Sequence, residues 1–429
     1  MRAALWLVAL FAIAVAVALF AGNNQAVITL FWPPHRIDLS LNLALLLAGG
    51  LFLLMHLALR ALAAAASLPS QARRWRAQQK ERAMQAALMD AIAHLLAGRF
   101  LRASRAAQGA LAQERTLVAL ATELGPDSGY SPQRGVQLRA LAHLVVAESA
   151  QALQNRPLRD EHLHLALEQS DQRLGAQTRE GIELRAARWA LEDRDPLLAL
   201  ERLAQLPLGV GRRTLALRLR LKAARLAQRT PDALETARLL AKHRAFSPQA
   251  AQSIVRGLAI ELLQAALDPR ALQRAWLSLE EAERRMPEVA VQAASHLMDL
   301  GGEPVQARQW LLAAWEQVVQ PEASASQELQ VRLVTTLERS LESIDDEWLA
   351  RMEAALISRP RDANFQYLAG MACLSRQLWG KAQQLLSHAV LHLSDTGLKR
   401  RAWRALAQLA EQRGDAAAAQ QAYKKLAQA

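Results

Sequence analysis

His388 and His392 stand four residues apart, a spacing that on a helix turns both imidazoles to one face, where they could bracket a metal or a haem iron. No carboxylate or cysteine joins them at ligand spacing, so simple exposure on a helix surface is the better reading. His56 is the third candidate for haem, porphyrin or proton binding, because it sits inside an otherwise uncharged apolar run. One turn from the end of that run it can also snorkel to the interface. His162 and His164 are two apart and diverge on a helix. The single cysteine, Cys373, excludes an intrachain disulfide framework and any Cys-cluster metal site. Both His94 and Cys373 fall at packing positions of a helical repeat.

Nothing else in the chain has the arrangement of a reaction centre. There is no glycine-rich dinucleotide fingerprint after a strand pattern, no phosphate-binding loop ending in Gly-Lys, no serine nucleophile elbow and no His-Glu-x-x-His helix. No strand series is visible at all. The expectation is therefore a non-enzymatic protein with no catalytic residue, no metal and no resident cofactor beyond the haem candidates His56, His388 and His392. Its net charge is +12, of which residues 1–90 supply +5 from eight basic and three acidic side chains, leaving +7 across 339 residues. That remainder is too dilute for a nucleic-acid face, and neither a reading helix nor stacking aromatics accompany it.

The elements that would position these residues divide into three parts. Residues 1–60 hold two uncharged apolar runs, 3–22 and 39–59, each long enough as helix to cross a hydrocarbon core of about 30 Å. A cleaved signal peptide is the competing reading of the first run. Between them, residues 23–38 carry Trp32 and the Pro33-Pro34 pair and read as a short external loop. In the second run Gly49-Gly50 permits a close helix approach. Residues 61–82, with Arg60 just before them, form a basic collar of Arg73, Arg74, Trp75, Arg76, Lys80 and Arg82 against a single Glu81. Cations beside a membrane exit favour the cytoplasmic side, which places both chain ends in the cytoplasm. Pro69 is expected to interrupt the helix soon after it leaves the bilayer.

Residues 83–429 are rich in Ala, Leu, Arg and Gln and poor in Gly and Pro, a helical vocabulary. The spacing of Gly370, Cys373, Trp379, Ala382, Leu386 and Ala389 is that of a tetratricopeptide repeat, with small residues where two helices touch and large ones filling the layer between hairpins. The next unit carries Trp403, Leu406, Ala407, Ala410, Gly414, Ala419 and Tyr423. Earlier units read as Ser295, Met298, Gly302, Ala307, Leu311, Ala314, and as Leu263, Ala266, Ala275, Leu279, Ala282, Pro287. Ala187, Ala190, Ala199, Leu203 and Leu206 recur 34 residues later as Leu221, Ala224, Ala233, Ala237 and Leu240. The first unit holds Ala91, His94, Gly98, Phe100, Ala103, Ala107 and Ala110, while Arg159 stands where a small residue belongs. Residues 332–360 fit in part, residues 125–132 read as a loop, and the total is about nine units. Such an array leaves a concave surface lined by first helices, on which Arg139, Arg185, Arg188, Arg218 and Arg225 form either a basic groove or solvated faces.

Gly22-Asn23-Asn24 after the first run, Arg36-Ile37-Asp38-Leu39-Ser40 before the second, then Ser67-Leu68-Pro69 and Arg73-Arg74-Trp75-Arg76 ahead of helical repeats, resemble the proteobacterial HemY family over essentially the whole chain. The resemblance implies an all-α inner-membrane protein with two spans and a tetratricopeptide-type solenoid, linked to a late step of protohaem synthesis and without an established reaction of its own. It implies partners among late haem-synthesis enzymes and no nucleic acid. The flavin-dependent protoporphyrinogen oxidase of the same name in Gram-positive bacteria is a different protein, and its activity does not transfer to a chain with no dinucleotide fingerprint. A haem or porphyrin carrier and a general envelope-assembly adaptor are the alternative readings.

Overall fold

The backbone between the two apolar runs is rich in β-branched and aromatic residues, Val27, Ile28, Thr29, Phe31 and Trp32, which favour extended structure. In the computed structural model, which describes residues 2–22, 25–124, 132–170, 176–320 and 326–428, this segment is a β-hairpin. Strands β1 (Val27–Trp32) and β2 (His35–Ser40) pair antiparallel, Val27 opposite Ser40 and Trp32 opposite His35. The two prolines occupy the turn, where the ladder needs no donor. This corrects the strandless loop expected from the prolines. It also moves the start of the second apolar helix, because Leu39 and Ser40 finish β2. The side chain of Ser40 then accepts the Leu43 N–H at 3.3 Å and caps the helix that follows. Asn23 and Asn24 lie outside the described residues.

The first apolar run forms α1 (Arg2–Gly22), with Trp6, Phe11 and Leu19 exposed. The second opens α2 (Leu41–Leu96), a helix of 56 residues. Among the described residues its segment Leu41–Ala66 is the one stretch that meets both the length and the hydropathy needed to cross a membrane, and none of its most apolar window is covered by protein. Contrary to expectation, Pro69 does not end the helix. A proline removes one backbone donor, whereas stopping would forfeit the helical propensity of the alanines before it and of the Gln, Arg and Ala residues after it. Burial begins at Ala77, Met84 and Leu88, which share one face.

The chain divides into two units, Met1–Arg179 and Glu180–Ala429. In the first, α2 is followed by α3 (Phe100–Leu124), α4 (Pro132–Ala152) and α5 (Arg156–Gln169), and α2 packs on both α3 and α4. The loop expected over 125–132 ends at Pro132, which opens α4, and its other residues lie outside the described ones. The second unit takes in most of α6 (Ala176–Glu192), then α7 (Pro196–Ala204), α8 (Leu208–Gly211), α9 (Thr214–Leu226), α10 (Thr230–Lys242), α11 (Pro248–Gln264), α12 (Pro269–Ser278) and α13 (Glu281–Arg284). It continues with α14 (Pro287–Asp299), α15 (Pro304–Val319), α16 (Gln327–Glu338), α17 (Asp346–Ser358), α18 (Ala363–Ser375), α19 (Trp379–His392), α20 (Thr396–Gln412) and α21 (Ala416–Gln428). In this unit α9 packs on α7 and α10, successive pairs from α10 to α12, from α13 to α16 and from α17 to α21 pack on each other, and α11, α14, α16, α18 and α20 also pack on one another in turn.

The first helix of a pair ends in a recurrent lock. The Leu378 N–H donates to the Cys373 carbonyl at 2.8 Å around Gln377, whose φ is +60°. The same bond five residues back joins Arg99 to His94, Asn155 to Ala150, Asp195 to Ala190, Arg229 to Ala224, Gly302 to Leu297 and Asp415 to Ala410. A residue with φ between 57° and 73° precedes each donor. Left-handed backbone there satisfies the last helical carbonyls and reverses the chain. Nine residues separate the acceptor from the small residue of the second helix at Cys373 and Ala382, but ten separate Leu297 from Ala307, because the Gly301-Gly302 turn is one residue longer. The register expected for that unit is therefore corrected: Ala294 and Leu297 are fully buried, while Ser295 and Met298 are half-buried.

Gly370, Cys373, Ala382, Leu386, Ala389, Ala407 and Ala419 are buried, and Gly414 lies in its turn at φ +73°. Three other aromatic expectations need correction. Trp379 remains 38% exposed at the start of α19, Tyr423 39% exposed on α21, and Trp403 only half-buried. Ala275 is likewise half-buried and Ala282 exposed, because the short α12 turns Leu272 and Trp276 inward instead. The aromatic core lies elsewhere, with Trp276 stacked on Trp310 at 4.8 Å and Trp315 edge-on to Phe365 at 5.3 Å. At Gly370 the helices approach so closely that an added Cβ would meet the Leu386 Cγ at 2.8 Å. Gly370→Ala is expected to destabilise the protein by about 1–3 kcal/mol through overpacking. Gly380→Ala, with open space around its Cβ, is expected to leave stability unchanged or raise it by up to about 1 kcal/mol; denaturant unfolding of both variants checks the contrast.

Candidate functional site

The histidines singled out by spacing do not converge. His388 and His392 lie exposed on α19, and His56 is exposed within the apolar part of α2. Among the described residues no group of three His, Cys, Asp or Glu side chains could hold a metal. Cys373 is buried, and burial pushes its thiol pKa up, away from nucleophilic use.

A different histidine pair is assembled by packing. His143 on α4 and His162 on α5 are both buried, their Nδ1 atoms 3.0 Å apart, so that one donates to the other. Sequence spacing could not reveal it, because the two are 19 residues apart on different helices. Burial, reinforced by His162 and by the Arg115 and Arg139 cations, lowers the pKa of His143 from 6.5 to about 4. His162 is also lowered, by burial working against the pull of Glu161. Beside the pair, Arg139 donates to the buried Glu114 of α3 and, at 3.0 Å, to Gln169 of α5. Arg159, which replaces a small residue, is buried as well: Nη1 donates to Gln151 at 2.6 Å and Nε to Asp160 at 2.8 Å. Long polar side chains thus fill a layer that alanines fill elsewhere.

The second unit carries an open cleft of about 1490 Å³, walled by the end of α10, the starts of α11, α14 and α16, α13, and the end of α15. Its walls are pinned by charge pairs. Arg238 grips the buried Glu283 through Nε at 2.8 Å and Nη2 at 2.6 Å, and Arg256 reaches Glu288 at 2.8 Å. The Glu283 carboxylate also accepts the Glu280 N–H at 2.9 Å, which shapes the short α13. Leu239, Val255, Met286 and Leu329 contribute apolar surface between these pairs. Paired charges around apolar patches suit a protein segment better than a reacting small molecule.

The five arginines named from the sequence do not make one basic groove. Arg139 is absorbed in the first unit's polar layer. In the second, Arg188 pairs with Glu192 on its own helix, Arg218 donates to the Ala245 carbonyl and lies over Phe246, and Arg185 and Arg225 are exposed. In the collar, Arg60, Trp75, Arg76 and Arg82 are exposed and Lys80 half-buried, while the side chains of Arg73 and Arg74 lie outside the described ones.

Histidines with depressed pKa values stabilise the fold only while neutral: unfolded imidazoles bind protons below about pH 6.5, folded ones resist until lower pH, so stability falls between 6.5 and about 4. The thermal midpoint of the wild type is expected to drop through that window more steeply than that of His143→Gln, as scanning calorimetry across pH 4–7.5 would show. Equal slopes would remove the pair from the pH dependence.

The family model described as HemY protein N-terminus matches residues 27–124. No curated protein matches the chain. Among solved structures, the chain is similar to Naa15/Naa10 bound to HypK-THB, at 14% identity and a TM-score of 0.25, over 82% of this chain and 61% of that one. It is also similar to the P58(IPK) TPR domain, at 14% identity and a TM-score of 0.22, over 76% of this chain and 98% of that one. Scores this low carry no argument about function. The family match takes in the β-hairpin and the whole of α2 and α3, and this N-terminal part of the chain is similar to the HemY family.

Proposed function

We propose that this protein is a membrane-anchored, non-enzymatic scaffold of tetratricopeptide type that binds or organises enzymes of a late step of protohaem IX biosynthesis in the inner membrane. The observation that carries the reading is α2: one helix begins as an exposed apolar segment, Leu41–Ala66, and ends buried against α3 and α4. A continuous helix transmits the orientation of its anchor to the helices packed on it. With α1 as a second span and β1–β2 as the external hairpin, the basic collar favours a topology with both ends of the chain in the cytoplasm. The helix pairs from the end of α2 to α21 are read as nine repeat units. Pinned, mixed-polarity surfaces such as the α10–α16 cleft would hold protein segments. Gathering successive enzymes would raise the local concentration of a reactive, poorly soluble porphyrin and shorten its path between active sites.

Two measurements test this. Phe31→Cys on the hairpin is expected to react with a membrane-impermeant maleimide in intact spheroplasts, and Ala417→Cys only after permeabilisation; buried Cys373 gives no background. The reverse pattern would invert the topology. Crosslinked full-length protein, isolated from native membranes in mild detergent, is expected to enrich ferrochelatase or a protoporphyrinogen-oxidising enzyme over a control containing residues 1–82 alone. Equal recovery with the control would remove the repeats from any haem-synthesis assembly.

A further inference from the structure

The turn between α2 and α3 and the turn after α4 share a cleft of about 490 Å³, lined by Gly98, Arg99, Phe100, Leu101, Arg102 and Leu153. Its leucines are open, Leu101 being 61% exposed and Leu153 43%, and two residues before the lining Gly98 the end of α2 exposes Leu96 at 84%. Its charge is one-sided. No acidic residue occurs between Asp90 and Glu114, while Arg99, Arg102 and Arg105 all fall in that stretch and are exposed. Glu114 itself is buried and held by Arg139, and Asp160 is held by Arg159. Among the described residues none forms an ion pair with Arg99, Arg102 or Arg105. The second unit's cleft is the opposite case, since Arg238 and Arg256 there are already matched by Glu283 and Glu288.

We infer that this cleft is a docking site for an acidic amphipathic helix of a partner protein, its leucines laid on Leu96, Leu101 and Leu153 and its carboxylates facing Arg99, Arg102 and Arg105. Both halves of the recognition are on the surface: open leucines lower the free energy by leaving water, and unmatched arginines select for negative charge and speed encounter. The bilayer is the competing occupant for a basic, apolar patch. Thirty helical residues separate Ala66 from Leu96, about 45 Å along α2, so the cleft stands well beyond the headgroups and a protein is the better fit. The inference deepens the scaffold reading by stating the chemistry of one partner.

The test uses the full chain in phosphatidylcholine nanodiscs and a fluorescein-labelled helical peptide with Leu on one face and Glu on the other, followed by anisotropy. Saturable binding is expected, weakening with added salt and at least tenfold in Arg99→Glu/Arg102→Glu and in Leu101→Ser. Arg270→Glu, an exposed arginine of the second unit, is expected to bind as the wild type does, and a peptide with Lys in place of Glu is expected not to bind. Absence of saturable binding, or equal affinity in the cleft variants, would overturn the inference. So would capture of phosphatidylglycerol vesicles that the peptide cannot displace, which would hand the patch to lipid. Because the probe peptide is independent of the identity of any enzyme, failure here and failure to enrich haem-synthesis enzymes are separable.

Discussion

Two helices can meet closely only where a small side chain lets them, and a hairpin repeats only where the chain reverses in the same way each time. Both conditions are visible at one place: Gly370 lies under the Leu386 side chain, and three residues later Cys373 accepts the Leu378 N–H across a left-handed Gln377. The close approach gains dispersion contacts and excludes water, while the reversed turn satisfies carbonyls that a helix end would otherwise leave open. Where the turn lengthens by one residue, as at Gly301-Gly302, the buried face shifts by one and the packing still closes.

The first unit meets the same constraint with different chemistry. Arg159 replaces a small residue and is accommodated by Gln151 and Asp160, while His143, His162, Arg139 and Glu114 tie α3, α4 and α5 together. Buried polar side chains need every partner in place, so this layer is less tolerant of a changed charge state than the alanine layers of the second unit. It lies next to the helices that continue from the apolar half of α2. The part of the chain that couples to the anchor is thus also the part whose packing depends on protonation.

Much of the helical content was legible, because Ala- and Leu-rich segments punctuated by Pro, Gly and Asp need only local propensity and capping to be recognised. The cap at Asp395, whose carboxylate accepts the Leu398 N–H, and Pro at the start of α10, α11, α12, α14 and α15 are local signals of that kind. Trp379 was misread because a large residue at a repeat position is buried only if the neighbouring hairpin covers it, which no local spacing records. The β-hairpin was missed for a related reason. Two prolines argue against a strand interior but not against a turn between two strands.

Sequence by itself determined the apolar segment and its basic collar, the 34-residue rhythm and the family resemblance, since each is a one-dimensional pattern of residue type. Tertiary structure alone decided that His143 meets His162, and that Glu283 takes two hydrogen bonds from Arg238 while Glu280 stays at 3.7 Å. It likewise decided that the arginines of α3 stand unmatched beside open leucines. Those outcomes depend on distances between groups far apart along the chain, and only the packing of helix on helix sets such distances.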